Sequence, residues 1–64
     1  MSQADVFQVL KDNKPKKFKS KDLAEIINIT PSNAGRSAKK VFINFPKIKR
    51  QFTNDNKIEY YYED

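Results

Sequence analysis

The sequence predicts a small α+β domain in which three helices precede a β-hairpin. Apolar residues recur at helical spacing in the first two thirds of the chain, and the last third alternates apolar and polar residues as strands do. Pro31 is placed to begin a helix, and Pro46 is placed to end it. The 64 residues allow one domain and leave no room for a second.

The first helix is predicted over residues 3–12. Val6 and Leu10 are four residues apart and fall on one face of it. Ser2 and Asp5 have the spacing of a capping box at its beginning.

The link from Lys14 to Lys19 is predicted to be extended. Pro15 lacks an amide hydrogen and disfavours helix in the preceding residue. Phe18 is the only apolar residue of the link, so we expect it to point inward. It would then belong to a short strand that pairs with the edge of the hairpin.

Two further helices are predicted over residues 21–28 and 31–44, joined by a tight turn. Ser20 is the expected N-cap of the earlier helix, and Thr30 that of the later one. Ile29, alone in the turn, is expected to be buried beneath both helices. The inward stripe of the third helix comprises Ala34, Ala38, Val41, Phe42 and Phe45.

The hairpin is predicted from residues 47–53 and 58–62, which alternate around a polar, turn-forming link. Within the first strand, Ile48, Arg50 and Phe52 share one face.

A run of three tyrosines lies in the second strand of the predicted hairpin. Tyr60 and Tyr62 are expected to enter the core against Phe52 and Phe18. Tyr61 is expected on the opposite face, where stacking on a base or a dimer contact would be open to it.

Positive charge is segregated along the chain, which has a net charge of +5. No acid lies between Asp12 and Asp22, and none lies between Glu25 and Asp55. A one-sided positive field of this kind is typical of proteins that bind polyanions. These two acid-free stretches hold Lys14, Lys16, Lys17, Lys19 and Lys21, and then Arg36, Lys39, Lys40, Lys47, Lys49 and Arg50.

Several functions are disfavoured by what the sequence lacks. It contains no cysteine and no histidine, and no pair of carboxylates is placed to share a site. We therefore expect no catalytic residues, no metal site, no cofactor and no small-molecule substrate, and we expect that the protein is not an enzyme. No apolar run approaches the roughly 20 residues that span a bilayer, and no signal-peptide core is evident. A cytoplasmic location, nucleoid-associated or nuclear in a eukaryote, is the expectation.

The order of elements resembles the winged helix-turn-helix family over nearly the whole chain. The resemblance is carried by F-K-S-K-D-L-A-E-I-I-N-I-T at 18–30 and by P-S-N-A-G-R-S-A-K-K-V at 31–41. The first resembles the family's strand, cap and second helix, and the second resembles its recognition helix. The chain departs from the family pattern at Ala38, where a larger aliphatic residue is common, and at 44–46, where Asn-Phe-Pro replaces the usual glycine.

The resemblance implies binding to double-stranded DNA, with the third helix in the major groove and the hairpin as a basic wing. Residues left outside the inward stripe suit base edges, and the lysines with Arg50 suit phosphates. The predicted base-reading residues are Ser32, Asn33, Arg36, Ser37 and Lys40. The residues predicted to contact the DNA backbone are Lys16, Lys17, Lys19, Lys21, Lys39, Lys47, Lys49, Arg50 and Lys57.

Two functional classes remain open at this point. The favoured one is a small transcriptional regulator or DNA-organising protein that binds as a homodimer or cooperatively. The alternative is a winged-helix interaction module that docks an acidic partner in a larger assembly. For Gly35, packing against another backbone is the favoured explanation, and close approach of a DNA phosphate is the second one.

Overall fold

The computed structural model describes residues 2–64 as a three-helix, three-strand α+β domain. Its strands form one antiparallel sheet in the order β1-β3-β2. This architecture confirms the predicted α+β class and is compatible with a winged helix. The predicted capping box involves the Ser2 side chain, which lies outside the described part of the chain. The elements are α1 (Ser2–Asp12), β1 (Phe18–Lys19), α2 (Ser20–Ile27), α3 (Pro31–Asn44), β2 (Ile48–Phe52) and β3 (Ile58–Tyr62).

The short strand β1 joins the free edge of the C-terminal hairpin, which consists of β2 and β3. Phe18 lies opposite Tyr60, and Lys19 lies opposite Glu59. Phe18 is buried, as predicted. The preceding link is less extended than expected, because a turn over residues 13–15 follows α1 before the chain straightens.

Helix α2 begins one residue earlier than predicted, and the prediction of Ser20 as its N-cap is wrong. Lys19 occupies the cap position in an extended conformation, so Ser20 is the first helical residue. The backbone N–H of Lys19 donates to Oδ2 of Asp22 at 3.1 Å. The Asp22 carboxylate therefore stabilises the positive end of α2, and a cap hydroxyl is not needed.

The turn between α2 and α3 comprises residues 28–30. Asn28 adopts a left-handed conformation with φ of 59° and ends α2. Ile29 is half-buried. Thr30 caps α3 as predicted, since its side-chain oxygen accepts a hydrogen bond from the Asn33 backbone N–H at 3.2 Å.

The core lies between the three helices and the inner face of the sheet. Tyr60 and Tyr62 are buried in it, as predicted. The buried apolar residues are Val6, Leu10, Phe18, Leu23, Ala24, Ala34, Ala38, Val41, Ile48, Tyr60 and Tyr62.

Two predicted core residues lie at the surface. Phe45 is 39% exposed because α3 ends at Asn44, and its ring stacks on Phe7 with centroids 4.5 Å apart instead of continuing the inward stripe. Phe52 is 71% exposed. It is therefore no core partner of the tyrosines, because in β2 only Ile48, at the start of the strand, is buried in the core.

Over residues 2–64, no helix combines the length and the apolar character needed to cross a membrane. The same residues contain no cluster of acidic side chains placed to hold a metal ion.

Candidate nucleic-acid interface

The open face of α3 presents two of the predicted base-reading residues in one line. Ser32, Arg36, Lys39 and Ile43 recur at spacings of four and three residues, so they share the face that points away from the core. All four are exposed. Nη2 of Arg36 donates to Oγ of Ser32 at 3.0 Å, which holds the guanidinium along the helix surface.

The flank of α3 contains the other three predicted base-reading residues, and one of them is not accessible. Asn33 and Lys40 are exposed, but Ser37 is only 8% exposed. The prediction that Ser37 lies on the open face is therefore wrong. Both α1 and α2 pack on α3, so its buried arc is wider than its apolar residues indicate and includes this serine.

The inner face of the C-terminal hairpin turns its basic residue toward α3. The guanidinium carbon of Arg50 lies 4.3 Å from the centroid of the Phe42 ring. At the hairpin turn, Lys57 is exposed and lines a groove, which is also lined by Pro31 and Gly35 near the beginning of α3. We define the basic surface as Ser32, Asn33, Arg36, Lys39 and Lys40 of α3 with Arg50 and Lys57 of the hairpin.

Two predicted backbone contacts lie on the outer face of the sheet, away from the basic surface. Because Arg50 faces α3, its neighbour Lys49 faces the other way, and Lys49 lies directly opposite Tyr61. Nζ of Lys17 lies 5.4 Å from the centroid of the Tyr61 ring. The predicted phosphate contacts are thus divided between two faces of the molecule.

The remaining residues predicted to contact the DNA backbone lie near β1 and at the start of β2. Lys16 is exposed, with Nζ 5.3 Å from the centroid of the Phe18 ring. Lys21 is exposed at the first turn of α2, and Lys47 is exposed just before β2. Lys19 is half-buried and lies 3.6 Å from Oδ2 of Asp55, so part of its charge is compensated.

The hairpin turn is ordered by a small polar network around Thr53. Its hydroxyl donates to Oδ1 of Asp55, and its backbone N–H donates to the Lys57 carbonyl at 2.8 Å. The hydrogen bond from Thr53 and then the charge of Lys19 hold the pKa of Asp55 below its ordinary value. Asn56 takes a left-handed conformation with φ of 61°, which asparagine tolerates in turns.

Gly35 borders the groove between the beginnings of α2 and α3 and the hairpin turn, which has a volume of about 640 Å³. A Cβ atom added at Gly35 would meet Cβ of Ser20 at 3.9 Å, an ordinary contact. The favoured explanation, close packing against another backbone, is therefore wrong. The room beside this glycine lies in a groove that also exposes Lys21 and Lys57.

Most cations of the basic surface are uncompensated. The described residues contain two salt bridges, and these use Lys14 with Asp64 and Lys19 with Asp55. Neither involves α3 or β2. Because no acid occurs between Glu25 and Asp55, neither of these two elements carries a negative side chain of its own.

Sequence reasoning missed two exposed apolar residues near the basic surface. Ile43 is 66% exposed and Phe52 is 71% exposed. The spacing of Ile43 from Arg36 could have placed it on the open face of α3. Nothing in the alternation of β2 distinguishes Phe52 from Ile48, which is buried on the same face of the same strand.

Comparison with known proteins identified no relative of this chain. No protein-family profile, curated protein or solved structure matches the chain. The charges and exposed side chains of the chain are therefore the basis on which its function can be proposed.

Proposed function

We propose that this protein is a winged-helix protein that binds double-stranded DNA through the basic surface. Helix α3 enters the major groove, and the C-terminal hairpin acts as a basic wing along the backbone or in the adjacent minor groove. The role is that of a small transcriptional regulator or DNA-organising protein.

One observation carries the proposal. The open face of α3 and the hairpin face that meets it are cationic together, and neither α3 nor β2 contains an acid. Arg50 links them by stacking on Phe42. A positive helix beside a positive hairpin complements the phosphates on the two sides of a groove.

The side chains of α3 also suit direct reading of bases. Arg36 is exposed and can form paired hydrogen bonds with O6 and N7 of guanine. Asn33 can do the same with N6 and N7 of adenine. Ser32 supports Arg36 through its hydrogen bond, which restricts the directions in which the guanidinium can reach.

The cations of the hairpin and the lysines on α3 have a different role. Lys39, Lys40, Arg50 and Lys57 are long, exposed cations, and they suit phosphates better than base edges. Such contacts set the position of the protein on the duplex and supply much of its affinity.

The test is a gel-shift titration of the full chain with a random-sequence duplex at several salt concentrations. If about six phosphates are neutralised, log K should fall with log salt at a slope of about −5. Lys11→Ala is a matched control, because Lys11 is an exposed lysine on α1 outside the basic surface. It should leave both affinity and slope nearly unchanged, whereas Lys40→Ala should reduce the slope by about 1.

The absence of a shift at micromolar protein and low salt would overturn this proposal. That result would favour the alternative, in which the same basic surface docks an acidic protein. Selection of bound duplexes from a random pool, with sedimentation of the complex, then tests the expected homodimer. An enriched palindrome predicts a dimer, and no enrichment predicts architectural binding.

A further inference from the structure

Phe52 is the most exposed of the large apolar residues in the described chain. It is 71% exposed, compared with 53% for Ile26 and 66% for Ile43. It ends β2 next to the hairpin turn and pairs with Ile58 across the hairpin. An exposed phenylalanine costs solubility, and it contributes little to the packing of the domain.

The side chain of Phe52 shares the face of β2 that meets α3. Side chains two residues apart point to the same face of a strand, and Arg50 on that face stacks on Phe42. Phe52 therefore projects from the end of the hairpin on the side of the basic surface, and it is not on the outer face with Lys49.

The charges around Phe52 favour a polyanion over a second copy of the chain. β2 is a free edge strand that contains Lys49 and Arg50 and no acid. Pairing two copies of β2 would bring these cations together, and like charges across an edge oppose pairing. Asp55, the acid of the nearby turn, is already engaged by Thr53 and Lys19.

We propose that Phe52 is an apolar wedge that enters the minor groove and unstacks a base step of the bound duplex, bending the DNA. The flanking cations neutralise the phosphates on either side of the groove, and the ring replaces stacking lost between the bases. The inference rests on the proposed function, because it assigns to the hairpin an action on DNA beyond contact with the backbone.

The experiment uses a duplex with 2-aminopurine at a central TA step and a donor–acceptor dye pair at its ends. TA steps unstack readily, so they are the preferred place for a wedge. The chain has no tryptophan, so the 2-aminopurine emission can be read directly. Wild type, Phe52→Ser and the matched control Ile26→Ser are each titrated while affinity is recorded separately by gel shift.

The wild type should raise the 2-aminopurine emission and bring the dyes closer together. Phe52→Ser should bind about tenfold more weakly and lose both signals even at saturation. Ile26→Ser should retain both signals, because Ile26 is an exposed apolar residue on α2, outside the basic surface and not on the hairpin. Phe52→Leu, which keeps an apolar side chain, should retain part of the bend.

The two proposals fail in different ways. Wild-type binding with neither unstacking nor bending would overturn the wedge and leave DNA binding intact. Signals that persist unchanged in Phe52→Ser at saturation would overturn it as well. Failure of the wild type to bind the duplex at low salt would overturn DNA binding, and the wedge with it.

Discussion

The guanidinium carbon of Arg50 lies 4.3 Å from the centroid of the Phe42 ring, and this contact joins the C-terminal hairpin to α3. The Phe42 ring also makes an edge-to-face contact with Tyr60 of β3, with ring centroids 6.4 Å apart. Arg50 therefore has two roles. It sets the hairpin against α3 through a cation–π interaction, and its charge belongs to the basic surface.

A double-mutant cycle should detect the cation–π interaction between Arg50 and Phe42. Arg50→Ala and Phe42→Leu should each lower the free energy of unfolding, and the two changes should be coupled by about 0.5–1 kcal/mol, as expected for an exposed cation–π pair. Urea denaturation of the two single variants and the double variant measures the coupling. Lys49→Ala is the control, because Lys49 lies on the outer face of the same strand. Additive effects of the Arg50 and Phe42 changes would contradict this interaction.

Gly35→Ala should raise the free energy of unfolding by up to about 1 kcal/mol, because alanine is favoured over glycine inside a helix. The added Cβ meets Cβ of Ser20 at an ordinary 3.9 Å. Thermal or urea denaturation measures the change. A destabilised variant would show that the groove is tighter than this distance implies.

The same Gly35→Ala variant also probes the second explanation for the glycine, a close approach of a DNA phosphate. A more stable variant that binds duplex more weakly would support that explanation. Unchanged affinity would leave no role for Gly35 in DNA binding. Circular dichroism of both proteins checks that α3 is intact.

Arg36→Ala should weaken binding to a selected duplex by about 1–3 kcal/mol and relax its sequence preference. Ser37→Ala is the matched comparison, because Ser37 is the adjacent residue but is only 8% exposed. It should leave duplex affinity unchanged. Competition gel shifts with selected and random duplexes measure both variants. Equal losses for the two variants would contradict the placement of the reading face.

Acid should destabilise the fold through Asp55 and Asp64. Hydrogen bonds from Thr53 to Asp55 and from Lys14 to Asp64 hold the pKa of each carboxyl below the ordinary 3.8. A carboxylate with a lowered pKa contributes stability above pH 3.8, and that contribution is lost as pH falls through the folded-state value. The urea midpoint should therefore decline below pH 3.8.

The variant Asp55→Asn isolates the contribution of Asp55 to this loss of stability in acid. It should lower the midpoint at neutral pH slightly and make the decline below pH 3.8 shallower. Both effects should be small because the groups are exposed. A decline as steep as that of the wild type would show that Asp55 does not contribute.

Stability at alkaline pH depends on Lys14, whose pKa is raised above 10.5 by its hydrogen bond to Asp64. Its contribution is present below pH 10.5 and is lost as pH rises through the folded-state value. Lys14→Met should remove this loss while leaving the contribution of Asp55 in acid intact. A midpoint that falls equally in both proteins above pH 10.5 would assign the loss to other groups.

Much of the fold follows from local signals in the sequence. The beginning of α3 is set by Thr30 and Pro31, and the hairpin by alternation around a polar turn. The inward direction of Phe18 follows from its being the only apolar residue in a basic link. These features depend on a few neighbouring residues, so they can be read without knowledge of the tertiary structure.

The incorrect predictions for Ser37 and Phe52 concern packing between distant elements, whereas the one for Ser20 concerns a local hydrogen bond. Ser37 is buried because two helices cover α3, and Phe52 is exposed because only the start of β2 is buried in the core. Ser20 lost its cap role because β1 runs directly into α2 and Asp22 supplies the acceptor. None of these outcomes is encoded in spacing alone.

The sequence by itself determined the order of the elements, the buried stripe at Ala34, Ala38 and Val41, and the absence of acids between Glu25 and Asp55. Periodicity and net charge are properties of the chain that survive in any compact arrangement of it. Only the tertiary structure decided which cations face together, because the side of a strand that meets α3 depends on the register of β2 with β3. That register turns Arg50 toward α3 and Lys49 away from it.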